Sequence, residues 1–326
     1  MAPSVLHPPS HLSPAEALAV SQQAPGILRA SAAAVSSSPL ASLLAGPEDP
    51  ELWLQYENLI VSCLRTGDDL AANACLRRLA IRFTAGNERV QALRGLVREA
   101  EAKNNGELER VLKEYDEILE ANDTNIPVAK RRIALLRSMG RLPDAASALV
   151  RLLDFSPTDA EAWSELSDIY LSQGLYPQAI YAVEEVLVLA PNAWNIHARL
   201  GELQYMAATA PGVSTGSYQK YMAEAIKRFS RSIELCDDYL RGYYGLKLVS
   251  KKLLSNGAKA MKQADDSEFA LPDTSTVERL NELATAKLAA IVRHSTARDR
   301  GWRGYSEADV SAARVLLTED ASAIKR

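Results

Sequence analysis

Residues 160–193 read AEAWSELSDIYLSQGLYPQAIYAVEEVLVLAPNA, and the fold turns on this stretch. Trp163, Leu166 and Tyr170 recur at i, i+3 and i+7, the spacing that places side chains on one stripe of a helix. Gly174 follows, a residue that takes the left-handed conformation at a helix end without steric cost. A second helix then opens at Tyr176, with Ala179, Val183 and Val186 as its inward stripe. Ala179 is small where the two helices cross closely, and Pro191 forbids continuation. The stretch therefore spells helix, bend, helix, bend. The same punctuation recurs at a spacing of 34 residues: Gly106, Gly140 and Gly174; Ala145 and Ala179; Pro157 and Pro191.

A period of 34 is that of the tetratricopeptide repeat (TPR). The stretch resembles that family's pattern of W-x-x-L-G-x-x-Y followed by A, F, A and P at fixed offsets. It departs at Ser167, where Gly is usual, and at Val183, where an aromatic is usual. Residues 126–159 repeat the grammar with Ile133, Leu136, Gly140, Ala145, Leu149, Leu152 and Pro157, although Arg132 takes a position usually apolar. Residues 92–125 offer Gly106, Val111, Tyr115 and Ile118, with Asp123 in place of Pro. The unit 194–237 begins with Leu200-Gly201 and Tyr205. It is interrupted by about twelve residues at 207–217, bearing Pro211, Gly212 and Gly216, and resumes at Ala225, Ile226, Phe229, Ile233 and Leu235. Upstream, 53–83 reads as a divergent helical pair turning at Gly67-Asp68-Asp69. Downstream the repeat fades into helices expected at 239–254, 275–294 and 307–317, the last capped by Ser306. The expected fold class is all-α: a TPR-type α-solenoid, a right-handed superhelix of helical hairpins. Its expected parts are an Ala/Ser/Pro-rich, mostly extended segment 1–47, a solenoid 48–237 and a C-terminal helical cap 238–326 that shields the last apolar face. Leu18, Val20, Ile27 and Leu28 are expected to dock short pieces of the first segment on the folded body.

Composition agrees. The 326 residues are 47% hydrophobic but only 6% aromatic, and abundant Ala and Leu favour helix. The net charge of −4, with both signs interspersed, gives no basic field to recruit nucleic acid by counterion release. Cys63, Cys75 and Cys236 are odd in number and form no C-x-x-C, which points to buried free thiols in a reducing compartment. No apolar run approaches the roughly 20 residues of a membrane span, no secretory signal is visible, and a single Arg29 argues against a transit peptide.

Catalytic signatures are absent. Neither G-x-x-x-x-G-K-[ST] nor G-x-G-x-x-G occurs, and 301–304 (GWRG) reads as a loop rather than a phosphate cradle. His7, His11, His197 and His294 show no zinc spacing. His197 takes the position of Trp163 in the preceding unit and is expected to be a packed, hydrogen-bonded histidine. Glu184-Glu185 and Asp237-Asp238 are neighbours that point apart on a helix, a solvated face rather than an acid–base pair. No enzyme, metal or cofactor is expected.

What remains is surface for partners. Stacked repeats present their first helices to a common groove. Lys130, Arg131, Arg132, Arg137 and Arg141 form a basic cluster on one of them, which suits an acidic partner segment. The next first helix offers Glu161, Glu165 and Asp168, and the one after offers Arg199 and Glu202. All of these except the turn residue Arg141 are candidate partner-binding residues. Trp163, Leu166, Tyr170, Gly174, Ala179, Pro191, Gly140, Ala145 and Pro157 are read as structural.

One TPR lineage matches more closely. Lys130-Arg131-Arg132-Ile133-Ala134, Glu161-Ala162-Trp163, Ala190-Pro191-Asn192, the interrupted unit and Arg241-Gly242-Tyr243-Tyr244-Gly245-Leu246 together resemble the family of subunit 2 of the endoplasmic reticulum membrane protein complex. The stretch 68–76 (DDLAANACL) is similar too, and the likeness covers roughly residues 50–260. That resemblance implies a subunit bound peripherally on the cytosolic side of the endoplasmic reticulum membrane. It would be a scaffold for the cytosolic part of an insertase of tail-anchored and multipass proteins. Implied partners are cytosolic segments of membrane subunits and a soluble subunit, and Lys130, Arg131 and Arg132 are the matching stretch expected to touch them. Two alternatives stay open: an adaptor for chaperone C-terminal tails, or a non-catalytic subunit of an enzyme assembly. Against the first, Asp168 and Glu202 fall where a carboxylate clamp needs basic or amide groups.

Overall fold

The computed structural model describes residues 4–9, 12–31, 50–255, 271–297 and 304–323. Among them there are fifteen helices and no strand. The 301–303 part of the predicted 301–304 loop lies outside the described residues, as does His11. The chain divides into two compact units, Met1–Phe155 and Ser156–Arg326.

The first unit holds α1 (Pro14–Ser21), α2 (Ala24–Ala30), α3 (Pro50–Thr66), α4 (Asp69–Phe83), α5 (Glu88–Glu101), α6 (Asn105–Ala121), α7 (Ile126–Ser138) and α8 (Leu142–Phe155). Its first core joins Tyr56, Leu59, Ile60 and Cys63 of α3 to Ala72, Cys75 and Leu79 of α4. Each buried Leu or Ile there contributes about 1.5–3 kcal/mol relative to exposure. The short N-terminal helices pack on this core. Val20 and Ala24 are fully buried, Ile27 and Leu28 partly so, but Leu18 points outward and is 48% exposed. Ser13 caps α1 through a capping box with Glu16. Farther along, α8 buries Ala145, Ala146, Leu149, Leu152 and Leu153, the contiguous stripe that a 3.6-residue period produces.

The second unit holds α9 (Ala160–Ser172), α10 (Tyr176–Leu189), α11 (Trp194–Thr209), α12 (Thr215–Leu235), α13 (Leu240–Ser255), α14 (Thr274–Ala297) and α15 (Glu307–Ala323). Asp159 caps α9, and the Ser306 hydroxyl oxygen accepts from the Asp309 amide at the start of α15. Ala179 is fully buried where α9 and α10 cross. At the departure Ser167, the hydroxyl donates to the Ala179 carbonyl at 2.9 Å, so the non-glycine residue adds a cross-helix bond.

The predicted bends coincide. Gly140 and Gly174 have φ of 75° and 72°. Around Gly140 its own N–H reaches the Arg137 carbonyl and the Arg141 N–H reaches Leu136. Around Gly174 the same two bonds run to Leu171 and from Leu175 to Tyr170. A second recurring device follows each Pro position. Trp163 Nε1 donates to the Pro157 carbonyl, His197 Nε2 to the Pro191 carbonyl, and Tyr243 Oη to the Asp237 carbonyl, all at 2.9 Å. Three different side chains make one bond, six residues back. His197 is the packed, hydrogen-bonded group that the sequence implied, 6% exposed.

Three expectations are corrected. Gly106 does not end a helix. Asn104 accepts from the Glu107 amide, and the Glu107 carboxylate accepts from the Lys103 amide, so a start signal outcompetes the glycine and Gly106 lies in the first turn of α6. The interruption at 207–217 is mostly helix. It lengthens α11 to 16 and α12 to 21 residues, against 13 and 14 in α9 and α10, leaving a turn at Pro211 and Gly212. Cys236 is not a buried thiol like Cys63 and Cys75. It is the half-buried residue that ends α12.

Candidate partner-binding surface

The basic string sits on α7, and the chain supplies its own acids. Arg131 forms a two-pronged pair with Glu99 of α5, whose other neighbour is the Tyr115 hydroxyl of α6 at 2.5 Å. Burial disfavours the Arg131 guanidinium, yet its bonds to Glu99 and Tyr115 outweigh burial and raise its pKa. Burial and the Glu99 carboxylate push the Tyr115 phenol strongly upward. Arg132 bonds Asp116 of α6 at 2.6 Å. Arg141 spans Glu109 at 3.4 Å and Asp144 at 2.8 Å. The acids that this cluster was expected to find on a partner are therefore supplied to Arg131, Arg132 and Arg141 inside the unit. Arg131 and Arg132 join α7 to its two predecessors, and Arg141 ties the turn after it to α6 and α8. Lys130 is half-buried, and Arg137 is the exposed member of the string.

In the second unit, Glu161, Glu165 and Asp168 follow one face of α9, with Glu161 and Asp168 exposed and Glu165 half-buried. Arg199 of α11 gathers two carboxylates, Asp168 at 2.9 Å and Glu202 at 3.1 Å. The structure thus brings Asp168, Arg199 and Glu202 together within this unit.

Sequence reading missed one feature here. Beside Glu202 an apolar cleft opens between α11, α12, α13 and α15, walled by Tyr205, Met206, Tyr244 and Leu248. Its signal was present in the glycines. A Cβ on Gly245 would meet the Phe229 ring at 2.0 Å, and one on Gly201 at 3.0 Å, so both exist to admit that ring. Among the described residues no group of His, Cys, Asp and Glu is placed to hold a metal ion, and no helix is long and apolar enough to cross a membrane.

Helical hairpins closed by left-handed glycines at a 34-residue spacing define a tetratricopeptide-repeat protein. A family profile described as the EMC2 TPR-like repeat domain matches residues 83–219. The TPR repeat protein oca3 of Schizosaccharomyces pombe is 30% identical over 247 residues, covering 74% of this chain and 83% of its own. ER membrane protein complex subunit 2 of Xenopus tropicalis is 29% identical over 235 residues, 72% of this chain and 74% of its own. The chain belongs to the family of ER membrane protein complex subunit 2. Among solved structures, the C-terminal part of a TPR repeat-containing protein from Cytophaga hutchinsonii is similar. It has a TM-score of 0.48 and 14% identity, over 91% of this chain and 98% of that one.

Proposed function

We propose that this chain is a non-catalytic scaffold subunit of the endoplasmic reticulum membrane protein complex. It would be held peripherally on the cytosolic side and organise the cytosolic part of an insertase for tail-anchored and multipass membrane proteins. The observation that carries this reading is the family match, which spans most of the chain and of two relatives. The repeat geometry supports it, because rigid helical pairs hold binding side chains in fixed positions without any reacting group. Partners would be cytosolic segments of membrane subunits and a soluble subunit. Residues 48–237 serve as the working array and 238–326 as its closing cap. Localisation would follow from partners.

Affinity purification of the tagged full chain from detergent-solubilised membranes tests the reading. Several integral membrane proteins in near-equal amounts are expected; recovery of soluble chaperones alone would reject it. Within the basic string, Arg137→Glu is the informative reversal. It leaves the Arg131–Glu99 and Arg132–Asp116 pairs in place, so weakened assembly with intact helicity assigns that face to a partner. Unchanged assembly removes Arg137 from the partner surface.

A further inference from the structure

The cleft in the second unit encloses about 500 Å³. Its floor is Phe229, which is fully buried, and the bare backbone of Gly245. Tyr205, Met206, Tyr244 and Leu248 stand half-buried around it. Tyrosine and methionine with one face packed and one face open are residue types that protein interfaces favour. A well-formed apolar pocket is also where an interface seats the anchor that dominates its binding energy. The mouth is charged. Arg199 and Glu202 stand on one side, and Arg241 bonds Asp309 of α15 at 3.3 Å on the other.

Those charges are unequal. Asp168, Glu202 and Asp309 share two guanidiniums, Arg199 and Arg241, so one carboxylate is in excess. Glu202 and Asp309 converge there: burial raises the Tyr239 phenol, Arg241 opposes it, and both carboxylates add to it. The cleft therefore has an acidic end beside an apolar middle.

We propose that this cleft receives an amphipathic helix of a partner protein, one apolar side chain filling it and a lysine or arginine facing Glu202 and Asp309. This rests on the scaffold reading and adds to it the chemistry of one partner segment. It also gives the last helix a role: α15 supplies Asp309 and Ala312 to the wall, so this closing element helps build a site.

Two fluorescein-labelled helical peptides test it against the full chain by fluorescence anisotropy. Both are built of leucine and alanine; one ends in two lysines, its twin in two glutamates. The lysine peptide is expected to bind at least about tenfold more tightly than its twin. Leu248→Arg is expected to weaken the lysine peptide about tenfold, and Glu202→Gln about threefold without loss for the twin. If Leu248→Arg lowers the helical signal in circular dichroism, Met206→Ala gives the same readout without a buried charge. Equal binding of the twins, or indifference to the cleft variants, overturns the proposal. So does self-association of the chain that Leu248→Arg abolishes, which assigns the cleft to a second copy. Co-purification of membrane proteins by the unaltered chain is scored separately. Its failure sinks the scaffold reading, whereas failure of the peptides with co-purification intact sinks only the cleft assignment.

Discussion

The two units seat a ring on a glycine and then add different partners to it. In the first, the Tyr115 ring of α6 lies against Gly95 of α5, and ion pairs reinforce the seams of α5, α6 and α7: Arg131 on Glu99, Arg132 on Asp116, and Arg98 on Glu114. In the second, the seam of α11, α12 and α13 is closed by volume, with the Phe229 ring seated against Gly201 and Gly245. Both solutions sit on helical pairs of one kind. Stacking geometry is thus set by the bends, and the means of sealing it is free to vary. The seams of α5, α6 and α7 should therefore respond to removal of a charge, and the seam of α11, α12 and α13 to removal of its ring.

The largest effect is expected from Phe229→Ala, a loss of about 4 kcal/mol in denaturant unfolding, since a fully buried aromatic leaves a cavity between three helices. Next comes Arg131→Met, about 2–3 kcal/mol, because Glu99 is left buried with only a phenol to answer it. Partial exposure of Arg131, 28% of its side chain, keeps the loss below that of a fully buried pair. Replacing both partners, Arg131→Met with Glu99→Met, should restore most of that loss; if the double variant is no better than the single, charge is not what seals the seam. Gly174→Ala should cost about 1–2 kcal/mol because its φ is left-handed, while Gly106→Ala, in a helix, should gain about 0.5 kcal/mol. Equal effects would show that the two glycines are equivalent after all.

A further effect is confined to high pH and falls on the first unit. Burial pushes the Cys63 thiol up to about 12 and Cys75 to about 11, from an ordinary value of 9.0. A raised folded-state pKa contributes stability that is complete below the unfolded value and is lost as pH climbs through the folded one. The unfolding midpoint should therefore drift downward from about pH 9 toward 12. Cys63→Ala with Cys75→Ala should flatten that drift, and an unchanged drift would assign it to other groups. Thiol labelling of the native chain at pH 8 should report Cys236 long before the other two.

Local grammar explains what the sequence revealed. Gly140, Gly174, Pro157 and Pro191 act within a few residues of themselves, so spacing alone located the bends. Gly106 shows the limit of that grammar, because Asn104 and Glu107 issued a competing instruction two residues away. The arginine string was legible as residues but not as contacts. Glu99 lies 32 positions before Arg131, and only the stacking of α5 against α7 brings them together. The cleft was less legible still, since its walls come from four helices and its opening depends on two absent side chains. Gly245 was visible as part of a family string, but the ring it admits was not.

The long α11–α12 pair has a consequence for how such a chain assembles. Look-alike repeats invite mispairing, in which one hairpin docks on the wrong neighbour and the whole array slips by one place. A hairpin with helices of 16 and 21 residues fits no slot cut for 13 and 14. Its length is thus a mismatch that disfavours exchange with the shorter hairpin before it.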